Sequence, residues 1–333
     1  MARVRSRNRG RLRLVADLGA TNARFALQHG HRPPFRVAVL AVRDFPGPAA
    51  AIRHYLDRHA APFAPREGRL AVAAPVDGDR VDFINHPWSF KVSALKRAFG
   101  FRRLAVVNDF EAVAGAVPFL HRRDLFKVGG GRPRAGAPKI VLGPGTGLGL
   151  GALAFTAQGW QTVATEGGHV TMAAANVREA EVLAALGRRF GHVSAERVLS
   201  GPGLVNLFSA IAELAGVAPP RATPEGIMRR ALARESEFCR EAADLFFSML
   251  GTFASNAALT FGARGGVYIA GGILPEARAS LAASRFRNRF ESKGRYASYL
   301  AAIPTYVVTR PVPAFLGLAH LDPSPGPARR IHP

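Results

Sequence analysis

With 333 residues the chain exceeds what one ordinary core needs, so two lobes of roughly 150 residues each are expected. Its residues are 48% hydrophobic and its mean hydropathy is +0.06, and no apolar run reaches the ~18 residues that span a bilayer, which excludes a membrane-spanning helix. The net charge is +22, yet only five of the 45 basic residues are lysines (91, 96, 127, 139 and 293), the rest being arginines. Such a balance raises nucleic-acid binding. Beyond the first residues, however, the arginines are dispersed, with no long basic run and no basic-aromatic module, so no nucleic-acid partner is expected.

The first residues carry arginines at 3, 5, 7, 9, 11 and 13 but no apolar segment before a cleavage site, so a basic tail is expected rather than a secretory signal. Leu12 to Asp17 reads as a strand, Gly19-Ala20-Thr21-Asn22 as a tight turn and Ala23 to Gln28 as the returning strand. Pro46 and Pro48 punctuate a helix near Ala49 to His59. Short strands follow at Leu70 to Ala74 and Arg80 to Ile84, then a buried strand from Leu104 to Val107 that runs into Asn108-Asp109 and an alanine-rich helix. GGGRPRAGAP (129–138) is the clearest loop. After it the opening pattern recurs, with Lys139 to Leu142, the turn Gly143-Pro144-Gly145-Thr146-Gly147, and Leu148 to Phe155.

The second half is mostly helical. Asn176 and Glu179 form a capping pair for a helix over Val177 to Arg189, and Thr223-Pro224 places a cap and a first-turn proline before the next. Apolar positions 238, 242, 245, 246, 249, 250 and 253 mark a long amphipathic helix near Glu235 to Leu259. Val267 to Ala270 is a last core strand leading into Gly271-Gly272. This alternation indicates an α/β protein. Cys239 lies among phenylalanines and is expected as a small core residue. A single cysteine excludes an internal disulfide and a cysteine-rich zinc site, and fits the cytoplasm.

Two turns carry candidate phosphate chemistry. A phosphate cradle needs inward-facing N–H groups with no side chain in the way. Ala16-Asp17-Leu18-Gly19-Ala20-Thr21 offers small residues, and Asp17 is suited to hold, through water, the Mg²⁺ that accompanies ATP. Every second residue from Gly143 to Gly151 is glycine, a density that weakens strands and asks for a reason. Gly143, Gly145 and Thr146 would make the second cradle, with Gly271-Gly272 either approaching adenosine or serving as a packing point. Asp109, at a strand exit, can accept a proton from an attacking hydroxyl or cap the following helix. Glu166-Gly167-Gly168-His169 suits several sugar hydroxyls, and Glu196 either joins them or pairs with Arg197. His169 with Glu166 lacks further ligands for zinc, so no metal-ligating set of side chains is expected. A glycosidase reading of Glu166 and Glu196 conflicts with two phosphate cradles.

Together, LVADLGATNARFAL (14–27), NHPWSF (85–90), VNDFEAVA (107–114), LGPGTGLGLG (142–151), EGGHV (166–170), SAERVLSGPGLVNLF (194–208) and GGVYIAGGI (265–273) resemble the bacterial glucokinase family of the actin-like sugar kinases. The resemblance implies an α/β fold of the two-lobed actin-like ATPase (ribonuclease H-like) class with a central cleft. It implies a small lobe of residues 1–119 plus 310–333 and a large lobe of 120–309 holding a helical dimer region. It also implies a homodimer, ATP with Mg²⁺, and glucose held by Asn108, Asp109, Glu166, His169 and Glu196, with Asp109 as the general base. Ala20 and Thr171 depart from the family's usual glycine and aspartate. The function so implied is ATP-dependent phosphorylation of D-glucose to glucose 6-phosphate. The alternatives are a kinase for another hexose, or a non-catalytic sugar sensor that keeps the kinase fold.

Overall fold

The computed structural model describes residues 12–321 and 328–331; of the basic tail expected at the start, residues 1–11 lie outside the described residues, and Arg13 is buried in the first strand. The chain opens with β1 (Leu12–Leu18) and β2 (Asn22–His29), followed by β3 (Phe35–Ala41), and these three run antiparallel. Helix α1 (Pro48–Tyr55) has proline in its first turn, where the missing N–H costs nothing, and continues as one wide π-type turn through Ala60. Strand β4 (Glu67–Val72) returns parallel to β1; a small hairpin, β5 (Arg80–Asp82) and β6 (Ser89–Lys91), leads to α2 (Val92–Ala98). Strand β7 (Arg103–Asn108) lies parallel to β4 and passes directly into α3 (Asp109–Ala116).

The next segment builds a second unit. Strand β8 (Leu125–Val128) is followed by β9 (Lys139–Pro144) and β10 (Leu148–Thr156), and the chain re-enters the first unit at Gly151. There β11 (Gly159–Thr165) ends and the chain returns to the second unit. Five helices and a strand follow: α4 (Val177–Phe190), α5 (Gly201–Leu214), α6 (Pro224–Leu232), α7 (Glu237–Thr260), β12 (Val267–Ile269) and α8 (Arg278–Ala283). Two short helices, α9 (Phe286–Glu291) and α10 (Ala297–Ala301), precede β13 (Thr305–Val308). The first unit closes with α11 (Pro313–His320) and β14 (Ala328–Arg330).

In the first unit five strands lie in the order β3-β2-β1-β4-β7. One sheet face carries Leu14, Ala16, Leu18, Phe25 and Leu27 against Ile52 and Tyr55 of α1, all fully buried. Trp88, from the NHPWSF stretch, packs into the same core and donates its indole N–H to the Phe45 carbonyl at 3.0 Å. The other face receives α3 and α11. The unit also takes in Gly151–Ala164, which the sequence expectation had assigned to the other lobe. A Cβ at Gly151 would stand only 2.6 Å from the Phe110 carbonyl oxygen, and Thr162 donates to the Glu111 carboxylate at 2.9 Å, so this segment is seated against α3.

In the second unit β9, β12 and β13 run parallel, and β8 lies antiparallel to β13. The starts of α4 to α7 are chemically marked. Asn176 caps α4 by accepting from Glu179 N–H at 2.9 Å, and the Glu179 carboxylate reaches back to the Ala175 N–H at 2.8 Å. Ser200, Thr223 and Ser236 cap α5, α6 and α7 in the same way. Cys239 is fully buried in α7, as its phenylalanine neighbours imply. Gly187, inside α4, has open space where a Cβ would project. Gly187→Ala is expected to stabilise by about 0.5 kcal/mol, because alanine loses less backbone entropy in a helix. A thermal midpoint raised by about 1–2 °C checks it.

Candidate active site

The first unit gathers its chemistry along one sheet edge. Strands β1, β4 and β7 are parallel neighbours, and their register sets Leu18 beside Val72 and Val72 beside Asn108. The turn after β1 and the Asn108-Asp109 pair after β7 therefore leave the sheet at the same level, two strand spacings or about 10 Å apart. The carboxyl ends of parallel strands are where open α/β sheets hold ligands.

The turn itself is closed by Gly19 N–H donating to the Asn22 carbonyl at 3.1 Å. A Cβ at Gly19 would meet that same carbonyl at 3.1 Å, so the crowded position is 19, not 20. Ala20 needs no left-handed backbone, so its methyl brings no backbone strain. Ala16 and Leu18 point into the core, which leaves only their backbone for a nucleotide. Thr21 is exposed at the tip. The Asp17 carboxylate receives Arg24 Nη1 from the adjacent strand at 3.3 Å. Burial pushes the Asp17 carboxyl above its ordinary range, and the Arg24 guanidinium opposes that rise.

The roles of Asn108 and Asp109 divide differently from the simplest sequence reading. Asn108, not Asp109, is the N-cap of α3: its Oδ1 accepts from the N–H groups of Phe110 and Glu111 at 2.9 and 3.1 Å. Its amide nitrogen lies 3.4 Å from the Ala74 carbonyl, and the residue is buried. Asp109 is half-buried at the first helical position, where its Oδ1 accepts from Phe110 N–H at 2.9 Å.

The second unit brings the other candidates together. The turn after β9 is braced by Gly145 N–H on the Gly147 carbonyl and by Gly201 N–H, at the start of α5, on the Gly145 carbonyl, both at 2.8 Å. A Cβ at Gly143 would fall 2.2 Å from the Ala270 carbonyl oxygen. Gly271, with φ of +98°, leaves no room beside the Pro144 carbonyl, so Gly143 in β9 and Gly271 after β12 let two backbones touch. Glu166 and His169 flank one short turn, with His169 Nε2 at 4.0 Å from Glu166 Oε2. That turn is bound to the Glu196 segment by Ala195 N–H on the Val170 carbonyl at 2.8 Å and by a bridge between Thr171 and Ser194. Thr171 Oγ1 lies 3.0 Å from His192 Nε2.

Glu196 does not pair with Arg197. Its Oε2 accepts from the Leu148 N–H at 2.8 Å, while the Arg197 guanidinium lies over the Phe190 ring at 4.3 Å. Sequence reasoning missed Leu148 because the group that matters is its backbone N–H. It also missed Thr165, whose hydroxyl donates to the Leu150 carbonyl at 2.8 Å and accepts from Gly167 N–H at 3.2 Å. Among the described residues no cluster of three or more His, Cys, Asp or Glu is placed to hold a metal ion, and no helix is long and apolar enough to cross a membrane.

The family model for glucokinase matches residues 14–323. The chain belongs to the glucokinase family. It is similar to the glucokinase of Paramagnetospirillum magneticum, 53% identical over 94% of this chain and 98% of the relative. The glucokinase of Aromatoleum aromaticum is 46% identical over 92% and 93% of the two chains. The crystal structure of a glucokinase from an Antarctic psychrotroph superposes with a TM-score of 0.80 at 36% identity, over 92% of this chain and 97% of that one. Membership of the glucokinase family carries the α/β fold of the actin-like sugar kinases, and the two turns and the Asn108-Asp109 exit sit on its strand ends as described above.

Proposed function

We propose that this chain transfers the γ-phosphoryl group of ATP to the C6 hydroxyl of glucose, with Asp109 as the general base. One observation within the first unit carries the mechanism: the shared register of Leu18, Val72 and Asn108, which puts a glycine-containing turn and an acceptor carboxylate on one edge. Asp109 would take the hydroxyl proton as oxygen attacks phosphorus. The turns at 19–21 and 143–146 would hold phosphate oxygens through backbone N–H groups, apart from Pro144, which has none, and Gly19 and Gly145, whose N–H groups close the turns, because phosphoryl transfer is mostly positioning and charge stabilisation. Glu166, His169 and Glu196 offer two carboxylates and an imidazole to sugar hydroxyls, with Asn108 contributing through its amide nitrogen.

Asp17 fits Mg²⁺ in kind: it is a hard oxygen donor one residue before the end of β1, and a lone carboxylate leaves the ion the waters it prefers to keep. When bound, Mg²⁺ would neutralise charge on the phosphates. Arg24 Nη1 donates to Asp17 Oδ2 at 3.3 Å, and Oδ1 would be the oxygen offered to the ion's waters. The expected homodimer and cytoplasmic setting belong to the same proposal.

A coupled ADP-release assay over a panel of sugars and donors tests the reading. Glucose with ATP is expected to exceed mannose, fructose and glucosamine by about tenfold or more in kcat/KM, since a site built to hydrogen-bond given hydroxyls discriminates against their loss or displacement. Highest turnover with another hexose would reassign the substrate. Equal, negligible rates with every sugar would leave a sensor.

A further inference from the structure

The exit of the second glycine turn is held by both sugar-facing segments of the same unit. Leu148 is the first residue after Gly147. Its N–H donates to Glu196 Oε2 at 2.8 Å, and a Cβ on Gly168 would fall only 1.9 Å from its carbonyl oxygen. A Cβ on Gly167 would collide with the Leu150 side chain at 2.4 Å, so the Glu166–His169 turn lies directly on the start of β10. From the other side, Gly201 N–H holds Gly145, and Ser200 ties that helix start to Glu196 by donating to its carbonyl at 2.8 Å. One stretch, Ser194 to Gly201, thus grips the turn at Gly145 and at Leu148 and also carries Glu196.

We propose that Glu196 is a positioning residue for the phosphate turn as well as a sugar contact, so that glucose and ATP bind with positive coupling through its carboxylate. The inference rests on the assignment of these two ligands to the unit's turn and loops. A carboxylate has two oxygens. Oε2 is committed to Leu148, and a sugar hydroxyl donating to the same group fixes its rotamer. Fixing the rotamer secures the Leu148 N–H and with it the Gly145–Gly147 turn. The second ligand then meets a turn already ordered and does not bear that entropic cost again. Linkage makes the effect reciprocal: each ligand must raise the other's affinity by the same factor.

The test uses the full-length protein and a non-hydrolysable ATP analogue with Mg²⁺, titrated with and without glucose by calorimetry. In the unaltered protein glucose is expected to tighten the analogue by about fivefold or more, within the ordinary span of coupling energies. A ratio of one would overturn the coupling. Glu196→Ala, with an unchanged melting temperature, should bring the ratio to one and weaken the sugar-free analogue severalfold. Glu196→Gln keeps a carbonyl oxygen for the Leu148 N–H, so its sugar-free analogue affinity should stay within about twofold of the unaltered protein. Equal losses in both variants, or a coupling ratio untouched by Glu196→Ala, would overturn the positioning role. If Glu196→Ala does not fold, Glu196→Leu, which likewise offers the Leu148 N–H no acceptor, is measured in its place. Failure of the catalytic reading would show separately, as absent ADP release with glucose in the unaltered protein.

Discussion

Replacing Asp109 by asparagine should lower kcat with glucose by about 10²- to 10⁴-fold, the range that a positioned base supplies. KM for glucose should change only a few-fold and the protein should remain folded. The structure makes this a clean test, because Asn108 provides the cap of α3 through its bonds to Phe110 and Glu111. The asparagine carbonyl can take over the bond that Asp109 Oδ1 accepts from Phe110 N–H, so local geometry persists. What disappears is the ability to receive a proton, together with a favourable charge at a helix start of about 0.3–1 kcal/mol. Asp109→Ala should match the loss of turnover with a slightly larger loss of stability. The checks are single-turnover ADP release and a thermal melt measured side by side. Near-normal turnover in Asp109→Asn would remove this residue from the chemistry, and unfolding would show that it is structural.

Much of this arrangement was legible before any coordinates, and the reasons are local. Strands β1, β2, β9 and β10 were readable because apolar runs are broken by turns of glycine and small residues, and observed boundaries differ from expected ones by one or two residues. The caps at Asn176 and Thr223 were readable because a cap is a short-range bond between a side chain and an N–H three residues on. Strand β3 escaped because it is an edge strand, with Val37 and Val39 exposed and Arg36 at a positive φ, so its pattern lacks the alternation of a half-buried strand. The residue pattern by itself did not mark helix α11, because eight residues give too little periodicity and its apolar face includes a glycine. In the candidate site, the residue types were legible but their division of labour was not. Whether Asn108 or Asp109 caps α3, and whether Glu196 meets Arg197 or Leu148, depends on rotamers that tertiary packing sets.

The glycine in α11 leads to the second large effect: Gly317→Ala should destabilise the protein and impair turnover together. A Cβ at Gly317 would stand 1.7 Å from the Ala112 carbonyl oxygen and 3.0 Å from the Ala116 nitrogen. Those are backbone atoms of α3, so no side chain can swing aside and one helix must move. Overpacking of a tight core costs about 1–3 kcal/mol, and a backbone obstacle puts this case at the upper end. A melting temperature lower by about 5–10 °C is expected. Gly115 gives the control, since the nearest atoms to its added methyl would be those of the Leu321 side chain, from 3.1 Å, and that group can yield. Helix α11 is pinned from the sheet side, because Arg69 Nη1 donates to the carbonyls of Leu318 and Leu321. The displaced partner is therefore α3, whose first residue is Asp109. A misplacement near 1 Å costs on the order of 10²-fold in rate for a positioned catalytic group. Turnover measured well below the new melting temperature should accordingly fall even while the variant is folded. If Gly317→Ala melts and turns over like the unaltered protein while Gly115→Ala does not, the helix contact is wrong, and with it the account of how α3 holds its carboxylate in place.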